Sequence, residues 1–120
     1  MANGEEKKIG SVKIEDEVLG AIASITAKKI LGVHKIATSF VGGIMQLIKK
    51  VPDAGVKVVV REGEVNLELG LIVDYGINIP EITWKVQKTI KEEIEKASGL
   101  KVVKIDVFVE GVYYPEEEKK

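Results

Sequence analysis

The stretch from Gly55 to Tyr75, GVKVVVREGEVNLELGLIVDY, leaves this chain little choice. Val56, Val58 and Val60 alternate with other residues, and so do Val65, Leu67, Leu69, Leu71 and Val73. A period of two is the mark of a strand with one buried face. Glu62-Gly63 stands between the two runs as a hairpin turn. With these two residues at its centre, Val60 faces Val65, Val58 faces Leu67 and Val56 faces Leu69, and both apolar rows fall on one side of the sheet. Turn and hydrophobicity therefore specify the same register, with Lys57 opposite Glu68 and Arg61 beside Glu64 on the other side.

Two helices are expected to cover that apolar side. The first starts at Glu15-Asp16-Glu17, where acidic residues favour the positive end of the helix dipole, and runs through VLGAIASITAKKIL to a stop at Gly32. A short strand containing Val12 and Ile14 precedes it, either central in the sheet or, being so short, leaving the last strand directly beside the long one. The second opens at Pro80-Glu81 and closes at Ser98-Gly99, with Ile82, Val86, Ile90, Ile94 and Ala97 on one stripe. Lys101 to Val112 is the last strand, with Val103, Ile105, Val107 and Val109 inward and Lys104, Asp106, Phe108 and Glu110 outward. The fold class is α+β: two helices packed on one face of a mostly antiparallel sheet, in a ferredoxin-like split βαβ order with an irregular insert. Residues 1–8 and 115–120 are charged tails, and residues 9–114 form one domain.

The insert, residues 37–53, is harder to read. VHKIATS suggests a short extended segment before it, and Gly42-Gly43 breaks regularity within it. Phe40, Ile44, Met45, Leu47 and Ile48 form either a cover over one end of the core or an apolar surface offered to a partner or lipid. Trp84 lies roughly 140° from the centre of its helix's apolar stripe and points away from the core. It either packs on a neighbouring segment or serves as an aromatic anchor for a protein partner. Phe108, on the polar row of the last strand, is a second candidate contact.

Catalytic chemistry is poorly represented. The chain has no cysteine and one histidine, so the usual zinc and thiol sites are not expected. His34 follows a helix end, where a structural role or plain exposure outweighs general-base work. Asp74 and Tyr75 precede a turn and suit turn bonding. No catalytic, cofactor-binding or metal-binding residue is assigned. The net charge of -1 is spread along the chain, and the outward strand rows lack the paired aromatics of an RNA-binding sheet, so nucleic acid is not an expected partner. No apolar run approaches the length of a bilayer span, so direct transmembrane insertion is not expected.

The segments GSVKIEDEVLGAIASITAKKILGV (10–33), GVKVVV (55–60), VNLELGLIVDYGINIPEITWKVQKTIKEEIEKASGLKV (65–102) and IDVFVEGV (105–112) resemble the alkaline shock protein family, general-stress and envelope-stress proteins of Gram-positive and related bacteria. LIVDYGINIPEI and ASGLKVVKIDVFVEGV carry most of the likeness. The resemblance implies a small cytoplasmic protein without catalytic residues or cofactor. It implies an interaction or scaffold role in the cell-envelope stress response, at the inner face of the membrane through a membrane-anchored protein partner. The alternative is a small-ligand or regulatory module of lipid or envelope metabolism, with the insert as a lid. Edge strands of an open sheet are compatible with a homo-oligomer.

Overall fold

A computed structural model describes residues 9–37 and 55–115. Helix α1 spans Asp16–Lys28, strand β1 Val33–Ile36, β2 Val56–Arg61, β3 Glu64–Asp74, helix α2 Ile79–Ser98 and β4 Lys101–Tyr113. The hairpin has the register that the sequence specifies: Val56 pairs with Leu69, Val58 with Leu67, Val60 with Val65, and Arg61 with Glu64. Its turn residues Glu62 and Gly63 have φ of 51° and 79°. Two central residues with positive φ form the turn whose twist matches that of paired strands.

β3 is the strand the other three share. β4 runs parallel to it along its whole length, Glu64 opposite Lys101 and Asp74 opposite Tyr113. Both antiparallel neighbours must therefore occupy the other edge. β2 takes Glu64 to Leu69, and β1 takes Leu71 to Val73. β1 and β2 thus lie end to end along one side of β3.

The α+β class holds, with both helices touching each other on one face of the sheet. Two of the three strand pairings are antiparallel. The finer expectation differs at one place. A split βαβ needs a strand between the two that flank the second helix, and the sequence suggests Val12 and Ile14 for it. That segment forms no strand, and Val12 is 89% exposed. Two alternating residues beside a helix start are too few to displace a direct pairing of β3 with β4. The short strand that does form is β1, from the VHKI of the extended segment.

The core is the inward row of β3 covered by two helical stripes. Val65, Leu67, Leu69, Leu71 and Val73 are fully buried, as are Leu19, Ala23 and Ala27 of α1 and Val86, Ile90 and Ile94 of α2. Burying each of the larger side chains contributes about 1.5–3 kcal/mol. α1 ends at Lys28, one turn before Gly32, because residues 29–32 form the turn into β1. α2 begins one residue before Pro80, at Ile79, with the Asn78 side chain accepting the Glu81 N–H at 2.9 Å and Gly99 ending it at φ 79°. Ala97, expected on the apolar stripe, is exposed near the helix end.

The inward row of β4 differs from the alternation read in the sequence. Val65 pairs with Val102 and Asn66 with Lys104, so Val103 is an extra residue in a bulge. Val102 is buried instead, and Val103 is 43% exposed. A second bulge falls between Val109 and Gly111 and takes Glu110 out of the pairing.

Gly55 and Gly63 both have positive φ, but their surroundings differ. A Cβ on Gly55 would lie 2.5 Å from Ile36 Cγ2 and 3.0 Å from the Ala37 carbonyl oxygen, whereas one on Gly63 would meet nothing within 4 Å. Gly63→Ala should cost only the backbone term, about 1–2 kcal/mol. Gly55→Ala should add overpacking of about 1–3 kcal/mol. Urea unfolding of both variants reads the difference, and equal midpoints would contradict this packing.

Candidate functional site

One flank of α2 leans over the outer edge of β4. The residues there, Trp84, Gln87, Lys88, Lys91 and Glu95, recur at helical spacing and lie beside the buried Val86-Ile90-Ile94 stripe. The stripe fixes the helix on the sheet and so places this flank along the strand. Gln87 Nε2 donates to the Ile105 carbonyl at 2.9 Å, and Lys91 Nζ to the Val102 carbonyl at 3.3 Å. Glu95 Oε2 accepts the Val102 N–H at 3.0 Å and the Lys91 ammonium at 2.7 Å. Three side chains one turn apart thus satisfy backbone groups that an adjoining strand would otherwise bond. An exposed row of such groups invites pairing with other chains, and this arrangement closes the first half of the β4 edge.

Between helix and strand lies an open groove of about 720 Å³. Trp84, Val102, Val103 and Ile105 give it apolar walls, and Lys88, Lys91, Lys101 and Lys104 surround them. The β4 bulge puts Val103 there, as bulges at sheet edges commonly re-aim a side chain. Trp84 is 58% exposed, with Lys88 Nζ 5.8 Å from its ring centroid, within cation–π range. Lys88 pairs with Glu92 at 3.0 Å and Lys104 with Asp106 at 3.5 Å.

Phe108 is elsewhere. It pairs with Gly70 on the opposite, open face of the sheet and is 42% exposed, so the structure does not bring it together with Trp84. Phe40, Ile44, Met45, Leu47 and Ile48 lie outside the described residues. The open face also holds His34, whose Nδ1 is 3.6 Å from Asp74 Oδ1 and whose ring stacks on Tyr113 at 3.7 Å. β1, β3 and β4 each supply one member of this clasp, which ties three strand ends together. No group of three or more metal-ligating side chains occurs among the described residues.

Trp84 points away from the core as its helical position predicts, but its surroundings are not legible in the sequence. Val103 was hidden because a bulge reverses the alternation. Gln87, Lys91 and Glu95 stand at i, i+4 and i+8, a spacing that marks one helix face but does not reveal that a strand edge lies under it.

The profile of the alkaline shock protein family, described as having a cell envelope-related function, matches residues 4–114. The chain is similar to the uncharacterized protein YqhY of Bacillus subtilis, 27% identical over 92% of this chain and 82% of that one. It is also similar to YloU of the same organism, 28% identical over 88% and 90%, and to Spy1535 of Streptococcus pyogenes, 27% identical over 87% and 80%. No solved structure matches.

The Lys91 ammonium, and after it the Val102 N–H, hold the Glu95 carboxyl below the usual carboxylate range. A group whose pKa is lower in the folded state adds stability above its unfolded pKa and loses it as pH falls through the folded one. Wild type should therefore be more stable than Glu95→Gln near neutral pH, with the gap closing as pH drops below about 4.3. Urea midpoints of both proteins across that range check this, and a gap independent of pH would contradict it.

Proposed function

Since the chain belongs to the alkaline shock protein family of cell envelope-related proteins, we propose that it is a non-enzymatic scaffold of the envelope stress response, brought to the membrane by a membrane-anchored protein. The observation that carries this reading is Trp84, which stands half in water at the wall of an apolar groove. Tryptophan offers a large apolar surface with few rotatable bonds, and it is enriched among the residues that dominate protein interfaces. Its helix is anchored by three fully buried side chains, so the ring is presented with little ordering cost on binding. Among the described residues no helix is long and apolar enough to cross a membrane, and a protein partner supplies the anchor in this reading.

Purification of the tagged protein from its native host, after gentle solubilisation of membranes, tests the proposal. An integral membrane protein should co-purify with wild type, and its recovery should fall about tenfold or more with Trp84→Ala. As an exposed position, Trp84→Ala should leave stability within about 0.5 kcal/mol, checked by circular dichroism and thermal unfolding. Absence of any membrane protein from the wild-type preparation would overturn the scaffold reading, and unchanged recovery with the variant would remove Trp84 from the contact.

A further inference from the structure

The groove between α2 and the β4 edge has a composition that selects its occupant. We propose that it binds a short extended peptide segment carrying both acidic and apolar side chains. This deepens the scaffold reading and rests on it, because it supplies the chemistry of the partner's contact.

Charge is the first argument. The chain as a whole carries -1, yet all four charged residues lining the groove are lysines. Their carboxylate partners stand outside the lining: Glu92 takes Lys88, Glu95 takes Lys91, and Asp106 takes Lys104. Lys101 forms no ion pair with the described residues; Glu64 stands opposite it on β3, outside the groove lining. Glu95 is also committed to the Val102 N–H, which keeps it directed at the strand. Within the groove itself, the charged groups a bound carboxylate faces are ammonium groups.

Shape is the second. The groove runs along α2 from Trp84 to Lys91, about 10 Å at the helical rise, and along β4 from Lys101 to Ile105, about 13 Å at the strand rise. That length holds about four extended residues. Its apolar atoms line a trough between a helix and a strand edge, with Trp84 on one wall and Val103 on the other, whereas a bilayer is engaged by a continuous apolar face of a helix. A peptide side chain fits between two such walls. Backbone pairing is not the means of capture, because the Val102 N–H and carbonyl and the Ile105 carbonyl are already bonded to Glu95, Lys91 and Gln87. Binding rests on side chains: an apolar one between Trp84 and Val103, with acids on either side toward the lysines.

Trp84 is the only tryptophan, so its fluorescence reports on this groove directly. The full chain is titrated with a blocked hexapeptide alternating aspartate and leucine, with the same peptide carrying lysine for aspartate, and with phosphatidylglycerol vesicles. The aspartate peptide should give a saturable blue shift that weakens with added salt, and the lysine peptide should bind about tenfold or more weakly. The double variant Lys101→Glu, Lys104→Glu should lose about tenfold in affinity for the aspartate peptide. So should Val103→Asp, whose bulged position lets it fold, with thermal unfolding as the check. Equal binding of the two peptides, no saturation by the aspartate peptide, or indifference to all these substitutions would overturn the proposal. A blue shift with vesicles alone would overturn it in favour of an anionic bilayer. If the membrane protein still co-purifies through Trp84 while the aspartate peptide does not bind, the partner chemistry fails and the scaffold reading stands. If co-purification fails as well, both fall.

Discussion

β3 makes every strand pairing in the sheet, and its inward row is sealed from water along its length. Val65, Leu67, Leu69, Leu71 and Val73 touch solvent nowhere, and all five belong to the core that the helices cover. A shift of one residue in the pairing of this strand would turn all five toward the open face and bring Asn66 and Glu68 into the core. The cost of burying those polar groups without partners makes the register strict. The positions of β4, of α2 above it, and hence of the groove follow from that register.

The parallel pairing of β3 with β4 has a further effect on the groove. Parallel neighbours need a crossover, and α2 provides it, so helix and final strand are joined by the short link Gly99-Leu100. This holds the C-terminal half of the helix close to the start of β4, where Glu95 and Lys91 reach Val102. Gln87 continues the series toward Ile105, and Trp84 stands one turn farther along. The spacing of edge closure and exposed ring is thus set by a single helix anchored on a single stripe.

What the sequence made legible was whatever depended on local pattern and turn chemistry. The hairpin could be placed to the residue because an alternating row and a Glu-Gly turn agreed, and α2 could be bounded because Pro80 and Gly99 mark its ends. Trp84 could be placed off the core because helical periodicity fixes angles well. Long-range pairings were less legible. Val12 and Ile14 alternate as a strand would, but nothing in four residues says whether a neighbour is free to receive them. Val103 was misassigned because a bulge leaves no signature in a run of valines, and Phe108 and Trp84 could not be separated until the sheet gave each a face. The edge contacts of Gln87, Lys91 and Glu95 are not legible in the sequence, since they depend on a strand that comes next in the chain but whose edge orientation no local pattern encodes.

The end-to-end placement of β1 and β2 along β3 has an evolutionary consequence. Ala37 is bonded through its N–H to the Gly70 carbonyl at 2.9 Å, and the missing Cβ of Gly55 would lie 3.0 Å from the Ala37 carbonyl oxygen. Ala37 and Gly55 therefore stand side by side where β1 and β2 meet along β3, although they are far apart in the chain. A side chain at position 55 would meet Ile36 Cγ2 at 2.5 Å and drive the two strand ends apart. Lineages that keep these strands end to end are thus bound to a glycine at this one seam, whatever else they change.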